Sequence, residues 1–84
     1  MYEIIFHKPA KKQLKKLPQE IQIRILKTLE RIRVRPHYFI KRLTGSPYYR
    51  LRVGDYRIIL DIQNKKLIIF VLELGQRKNI YKSQ

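Results

Sequence analysis

The stretch Tyr49-Arg50-Leu51-Arg52-Val53-Gly54-Asp55-Tyr56-Arg57-Ile58-Ile59 places a two-residue turn signal, Gly54-Asp55, between two runs of β-forming residues. With Gly54 and Asp55 as the central turn residues, Val53 pairs with Tyr56 and Arg52 lies opposite Arg57. Directly opposed like charges destabilise a sheet, so a sequence that adopts this pair points to an anion held between them. Period-2 alternation adds Arg50 to the face of Arg52 and sends Tyr49, Leu51 and Val53 to the other side. Three arginines are thus expected on one patch.

Working outward, Gln63-Asn64-Lys65 marks a second turn and Lys66 to Leu74 a further strand. Antiparallel continuation sets Glu73 and Leu74 beside Tyr56, so that Gly75-Gln76-Arg77 leaves the sheet near the same hairpin. Arg77, and Tyr81 from the tail, can then reach the patch. On the other side, Leu43, Gly45 and Pro47 read as a loop. Tyr2 to His7 reads as a first strand ending before Pro9. From Pro9, Ala10, Leu14 and Leu17 recur at helical spacing, with Lys11, Lys12, Lys15 and Lys16 on the other face. Pro18 breaks that helix. A second carries Ile21, Ile25, Leu29 and Ile32 and ends at Arg35-Pro36, because a residue before proline is pushed out of the helical region. The order β-α-α-β-β-β predicts one α+β domain over residues 1–84. Its N-terminal strand and helical hairpin pack on a mainly antiparallel four-stranded sheet, with a short C-terminal helix or tail.

The 84 residues suffice for one modest core, and 44% are apolar, which argues for a folded domain rather than a basic tail. Lys and Arg number 20 against 6 Asp and Glu, a formal net charge of +14. Self-repulsion on this scale is tolerated where a polyanion is the partner: RNA, DNA, an anionic membrane surface or an acidic protein. The absence of cysteine excludes disulfides, thiolate metal sites and cysteine nucleophiles. With no apolar run near the roughly 18 residues of a membrane span, the expectation is a soluble, cytoplasmic protein with no membrane partner.

Arginine suits phosphate better than lysine, because its planar fork donates two parallel hydrogen bonds and stays charged. A two-metal nuclease needs clustered carboxylates. In the expected register Asp61 and Glu73 stand five residues apart on neighbouring strands, on the order of 17 Å. No metal or cofactor is implied. His7 ends a strand and His37 lies in a loop, which disfavours a paired-imidazole ribonuclease. What remains is RNA cleavage by positioning and electrostatics, in which the 2′-OH is the nucleophile and arginines offset charge growing on the phosphate. Tyr81 is the candidate base, its phenolate favoured by nearby cations, with base stacking or packing as the alternative. For Lys11, Lys12, Lys15 and Lys16 a solvated face competes with steering of a nucleic-acid backbone.

The run Lys41-Arg42-Leu43-Thr44-Gly45, the hairpin quoted above and Val71-Leu72-Glu73-Leu74-Gly75-Gln76-Arg77-Lys78-Asn79-Ile80-Tyr81 together resemble the RelE/ParE superfamily of toxin–antitoxin toxins. The similarity covers nearly the whole chain, including the helical hairpin with Leu17-Pro18. One fold there serves ribosome-dependent mRNA endonucleases of RelE type and non-enzymatic gyrase poisons of ParE type. The resemblance implies a RelE-type toxin that enters the ribosomal A site and cuts mRNA by 2′-OH attack, leaving a 2′,3′-cyclic phosphate. It implies Arg57 and Arg77 as clamps on the scissile phosphate and Tyr81 as base or stacking residue. Arg50 and Arg52 position the backbone, and Lys11, Lys12, Lys15 and Lys16 grip ribosomal RNA. Where well-known members carry two lysines this chain has Arg50 and Arg52, which do not give up a proton and so are not general bases. The implied partners are the ribosome with its mRNA and a cognate antitoxin that wraps the toxin with a partly acidic amphipathic segment. A gyrase inhibitor and a degenerate nucleic-acid-binding module remain alternatives.

Overall fold

The structure, a computed structural model, describes residues 1–76. In chain order it runs β1 (Glu3–Phe6), α1 (Lys8–Lys15), α2 (Gln19–Ile32), a 3-10 turn at Pro36–Tyr38, β2 (Lys41–Arg42), β3 (Tyr49–Val53), β4 (Tyr56–Gln63) and β5 (Ile68–Gln76). The expected helical hairpin on a mainly antiparallel sheet is present. The sheet order is β1-β5-β4-β3-β2, with β1 parallel to β5 and every other pair antiparallel. The expected four strands are five. Residues 41 and 42 form an added edge, Lys41 opposite Arg50 and Arg42 opposite Tyr49. Lys41-Arg42 has none of the apolar alternation of a strand; it becomes one because β3 offers a free edge of backbone donors and acceptors.

Helix α2 ends at Ile32, three residues before the expected stop. There the Tyr2 N–H donates to the Arg33 carbonyl at 2.9 Å, and Arg33 Nε donates back to the Tyr2 carbonyl at 2.8 Å. The chain end of the helix is thus spent on β1 rather than on another turn.

One face of the sheet meets the helices. Leu51, Val53, Ile58, Leu60, Ile62, Ile69, Val71 and Leu74 form a single buried cluster with Ala10, Ile25, Leu29 and Ile32. Burying such side chains contributes roughly 1.5–3 kcal/mol each relative to exposure. The alternation that places Leu51 and Val53 in this core places Arg50 and Arg52 on the opposite, open face.

The hairpin register matches the reading of the sequence: Val53 opposite Tyr56, Arg52 opposite Arg57. Gly54 takes φ +58 whereas Asp55 keeps negative φ, the pattern of a two-residue turn with glycine first. The β4–β5 register differs from the expected one. Gln63 pairs with Ile68 across a four-residue connection that includes Leu67 at φ 55, and the ladder shifts by one residue between Ile59 and Leu60. Tyr56 therefore faces Gln76, not Glu73 or Leu74. The longer turn and the bulge account for the slip, and the backbone N–H of Leu74 is taken up by Gln13 Oε1 of α1 at 2.8 Å.

Because an alanine at positive φ is strained by about 1–2 kcal/mol, Gly54→Ala is expected to lower unfolding free energy by that amount in urea titrations. An added Cβ would also sit 3.3 Å from Arg24 Nη1, but that flexible tip can move aside.

Candidate nucleic-acid interface

The open face collects Arg50, Arg52 and Arg57. Arg52 and Arg57 are direct register partners, and Arg50 lies two residues before Arg52 on the same strand. Like charges are held opposite one another because the core on the far side dictates the parity of both strands. Arg52 Nε donates to the Gly54 carbonyl at 3.2 Å, which ties that side chain to the turn. Arg57 is only 6% exposed. A cation removed from bulk water interacts more strongly with an incoming anion, because screening by solvent falls.

Arg50 and Arg57 border two concavities on this face. The larger, of about 600 Å³, is walled by Arg42, Tyr48, Arg50, Arg57, Ile59 and Glu73 among others. The smaller, of about 230 Å³, is lined by Phe39, Lys41, Arg50, Arg52 and Arg57, four cations and one aromatic ring with no carboxylate.

The other predicted residues are placed differently. Lys11, Lys12, Lys15 and Lys16 are exposed on α1 or its end, in the helical layer that covers the opposite face of the sheet. They form no single patch with the arginines. Arg77 and Tyr81 lie outside the described residues. The estimated separation of Asp61 and Glu73 is corrected: Glu73 pairs with Ile59, two positions from Asp61 rather than five, because of the slip and bulge. Among the described residues no group of three or more His, Asp or Glu side chains gathers as a metal site would require. Asp61 instead accepts from Gln63 Nε2 through both oxygens at 3.0 Å. His37 Nε2 sits 3.1 Å from Asn64 Oδ1, which also accepts from Tyr2, so this imidazole is occupied at the sheet end far from the hairpin.

Three contributors were not singled out from sequence. Lys41 joins the cluster only because the β2–β3 pairing sets it opposite Arg50. Arg24, from α2, reaches the Gly54 turn from the other side. Gln13 holds the end of β5 where it passes the site. A neutral residue standing at position 13 among the lysines of α1 was the available signal for the last of these.

With this geometry in view, comparison with known proteins is informative. Residues 4–81 match the family model described as the ParE toxin of type II toxin–antitoxin systems, parDE. The chain belongs to this toxin family. Within it, the chain resembles proteins named RelE. It is 26% identical over 80 residues to the mRNA interferase toxin RelE of Escherichia coli K12, covering 92% of this chain and 84% of that protein. The RelE of the Pyrococcus horikoshii RelE–RelB complex is similar with TM-score 0.80 and 30% identity, over 90% of this chain and 94% of that one. The corresponding Methanococcus jannaschii RelB–RelE complex gives TM-score 0.76 and 31% identity, over 94% and 96% of the two chains. The chain is thus a RelE-like toxin of a toxin–antitoxin system.

If the toxin's open face binds phosphate, each arginine removed takes away about 0.7 from the slope of log affinity against log salt for single-stranded RNA. Arg50→Ala and Arg52→Ala are expected to show this in anisotropy titrations across a salt series. An unchanged slope removes the side chain from the phosphate-binding set.

Proposed function

We propose that this toxin is an mRNA endonuclease that works in the ribosomal A site and is neutralised by a cognate antitoxin. The observation that carries the reading is the placing of Arg50, Arg52 and Arg57 on one sheet face, with Arg57 almost withdrawn from solvent. The names of its relatives support it: an mRNA interferase among the curated proteins and RelE–RelB complexes among the solved structures.

In this mechanism the 2′-oxygen attacks the adjacent phosphorus, the bond from phosphorus to the 5′-oxygen breaks, and a 2′,3′-cyclic phosphate remains. The 2′-hydroxyl proton passes to a base and the leaving 5′-oxygen gains a proton. Arg57 meets the charge that grows on the phosphate, where preorganised donors contribute most. Arg50 and Arg52 hold the flanking backbone. Neither can serve as base, since a guanidinium keeps its proton. Tyr81 is proposed for that role, and Arg77 for a second phosphate contact and assistance to the leaving group. The lysines of α1, on the other layer, are proposed to contact ribosomal RNA. The antitoxin is proposed to present acidic side chains to the same cationic surface. No metal or cofactor enters the reaction.

The test is primer extension on mRNA from a translating extract. New 3′ ends in the A site are expected with the toxin, reduced on the order of 10²–10³-fold in rate for Arg57→Ala and also diminished for Arg77→Ala and Tyr81→Phe. Intact mRNA at doses that stop translation excludes the proposal. The matching family carries the ParE name, and the second reading is gyrase inhibition, the activity that the superfamily resemblance attaches to the ParE type. Purified gyrase separates the two: the endonuclease reading expects no stabilised DNA-cleavage complex, and its appearance would transfer the function to gyrase.

A further inference from the structure

Phe39, at a bend just before β2 (φ −116, ψ 4), lines the same cavity as Lys41, Arg50, Arg52 and Arg57. Ile40, between Phe39 and Lys41, packs against the core. Phe39 therefore belongs to the open face. It is 54% exposed, and among the described residues its ring meets that of Tyr38, tilted at a centroid distance of 5.5 Å. A phenylalanine at an outward position among arginines gains little from burial and is not required by the core.

The cavity beside it is lined by this ring and by Lys41, Arg50, Arg52 and Arg57. At about 230 Å³ it is smaller than the roughly 300–1,000 Å³ of clefts for drug-sized ligands. A flat apolar face next to several phosphate donors is the chemistry of single-stranded nucleic-acid binding, in which bases stack on aromatic rings while cations follow the backbone. We infer that this cavity is a nucleotide subsite in which the base of a single-stranded RNA residue stacks on Phe39 while its phosphate is held by Arg50 and Arg52.

The inference deepens the endonuclease reading, since a stacked neighbour would fix the strand as it crosses Arg57. Stacking needs no hydrogen bonds to base edges, so the subsite tolerates every base and contributes position rather than sequence preference. An acidic peptide is the competing occupant. The lining favours RNA, because four cations account for a polyanion of either kind but the exposed ring is explained by a planar base.

The chain contains no tryptophan, so Phe39→Trp supplies a single fluorophore at the site. In the full-length protein, a single-stranded oligouridylate is expected to quench it, and the same oligomer with an abasic residue at each position is expected to bind without quenching. Phe39→Ala and Phe39→Leu should weaken oligouridylate binding about 5- to 100-fold, the range of base–aromatic stacking, while Phe39→Tyr retains it. Oligouridylate bound by anisotropy with silent tryptophan, or equal affinities for all variants, overturns the subsite. Quenching by a synthetic Glu-rich amphipathic helix peptide with none by RNA assigns the ring to protein docking and overturns it as well. The two proposals fail separately. Quenching by RNA with uncut mRNA in the extract retains the subsite and removes the nuclease, whereas A-site cuts with silent tryptophan do the reverse.

Discussion

Everything at the open face depends on the register of the β3–β4 hairpin. A slip of one residue inverts every side chain of a strand, and here it would drive Arg50 and Arg52 among Ile25, Leu29 and Ile58 while exposing Leu51 and Val53. Unpaired charge in such a core costs far more than any surface interaction returns. The apolar cluster thus enforces the alignment of like charges on the other side of the same strands. Gly54 at positive φ closes the turn in two residues, and with that length fixed Arg52 has no partner but Arg57. The repulsion of the facing pair is offset by hydrophobic burial one residue away in each direction.

The same layering also sets where the large positive charge is displayed. Arg33 and Glu30 form an exposed salt bridge at 3.0 Å, near the chain end of α2 and remote from the hairpin. An exposed pair of this kind contributes at most about 1 kcal/mol. Among the described residues, one group of cations lies on the outer side of α1 and another on the open sheet face, with the core between them. Two cationic surfaces back to back suit contact with an extended polyanion on more than one side, and a bound polyanion relieves the self-repulsion that a net charge of +14 imposes.

The sequence made local and periodic features legible. The Gly54-Asp55 turn, the alternation of Arg50-Leu51-Arg52-Val53 and the 3.6-residue spacing of Ile25, Leu29 and Ile32 each carry their own signal, and each appears as read. Features that depend on a distant partner were not legible. Strand β2 exists through its pairing with β3, and its Lys41-Arg42 has no strand pattern. The register shift between Ile59 and Leu60 belongs to the β4–β5 ladder, and Gln13 accepts from the Leu74 N–H 61 residues away. Leu67 at φ 55 breaks the rule that such positions fall to glycine or asparagine, so the length of its turn was misjudged and the slip passed to Tyr56 and Glu73. Within the site, the arginine parity was readable and the aromatic neighbour was not, because Phe39 sits in an irregular bend before β2 that no periodic signal marks. Arg77 and Tyr81 fall outside the described residues.

Along β4 the open face changes character from one end to the other: Arg57, then Ile59, then Asp61 and Gln63. Asp61 at the far end does not cancel the basic end, and the nearer carboxylate is Glu73, opposite Ile59 on the wall of the larger cavity. Four residues separate Arg57 from Asp61, about 13 Å along an extended strand, beyond the roughly 8 Å over which charges act through physiological salt. Gln63 further occupies both oxygens of Asp61, which holds that carboxylate in place at the far end. The face is thus polarised, with its positive charge concentrated toward the hairpin. There Arg57, shielded from solvent, sits between the two cavities. Arg50 borders both cavities as well, so what singles Arg57 out from the arginines around it is its near-complete burial.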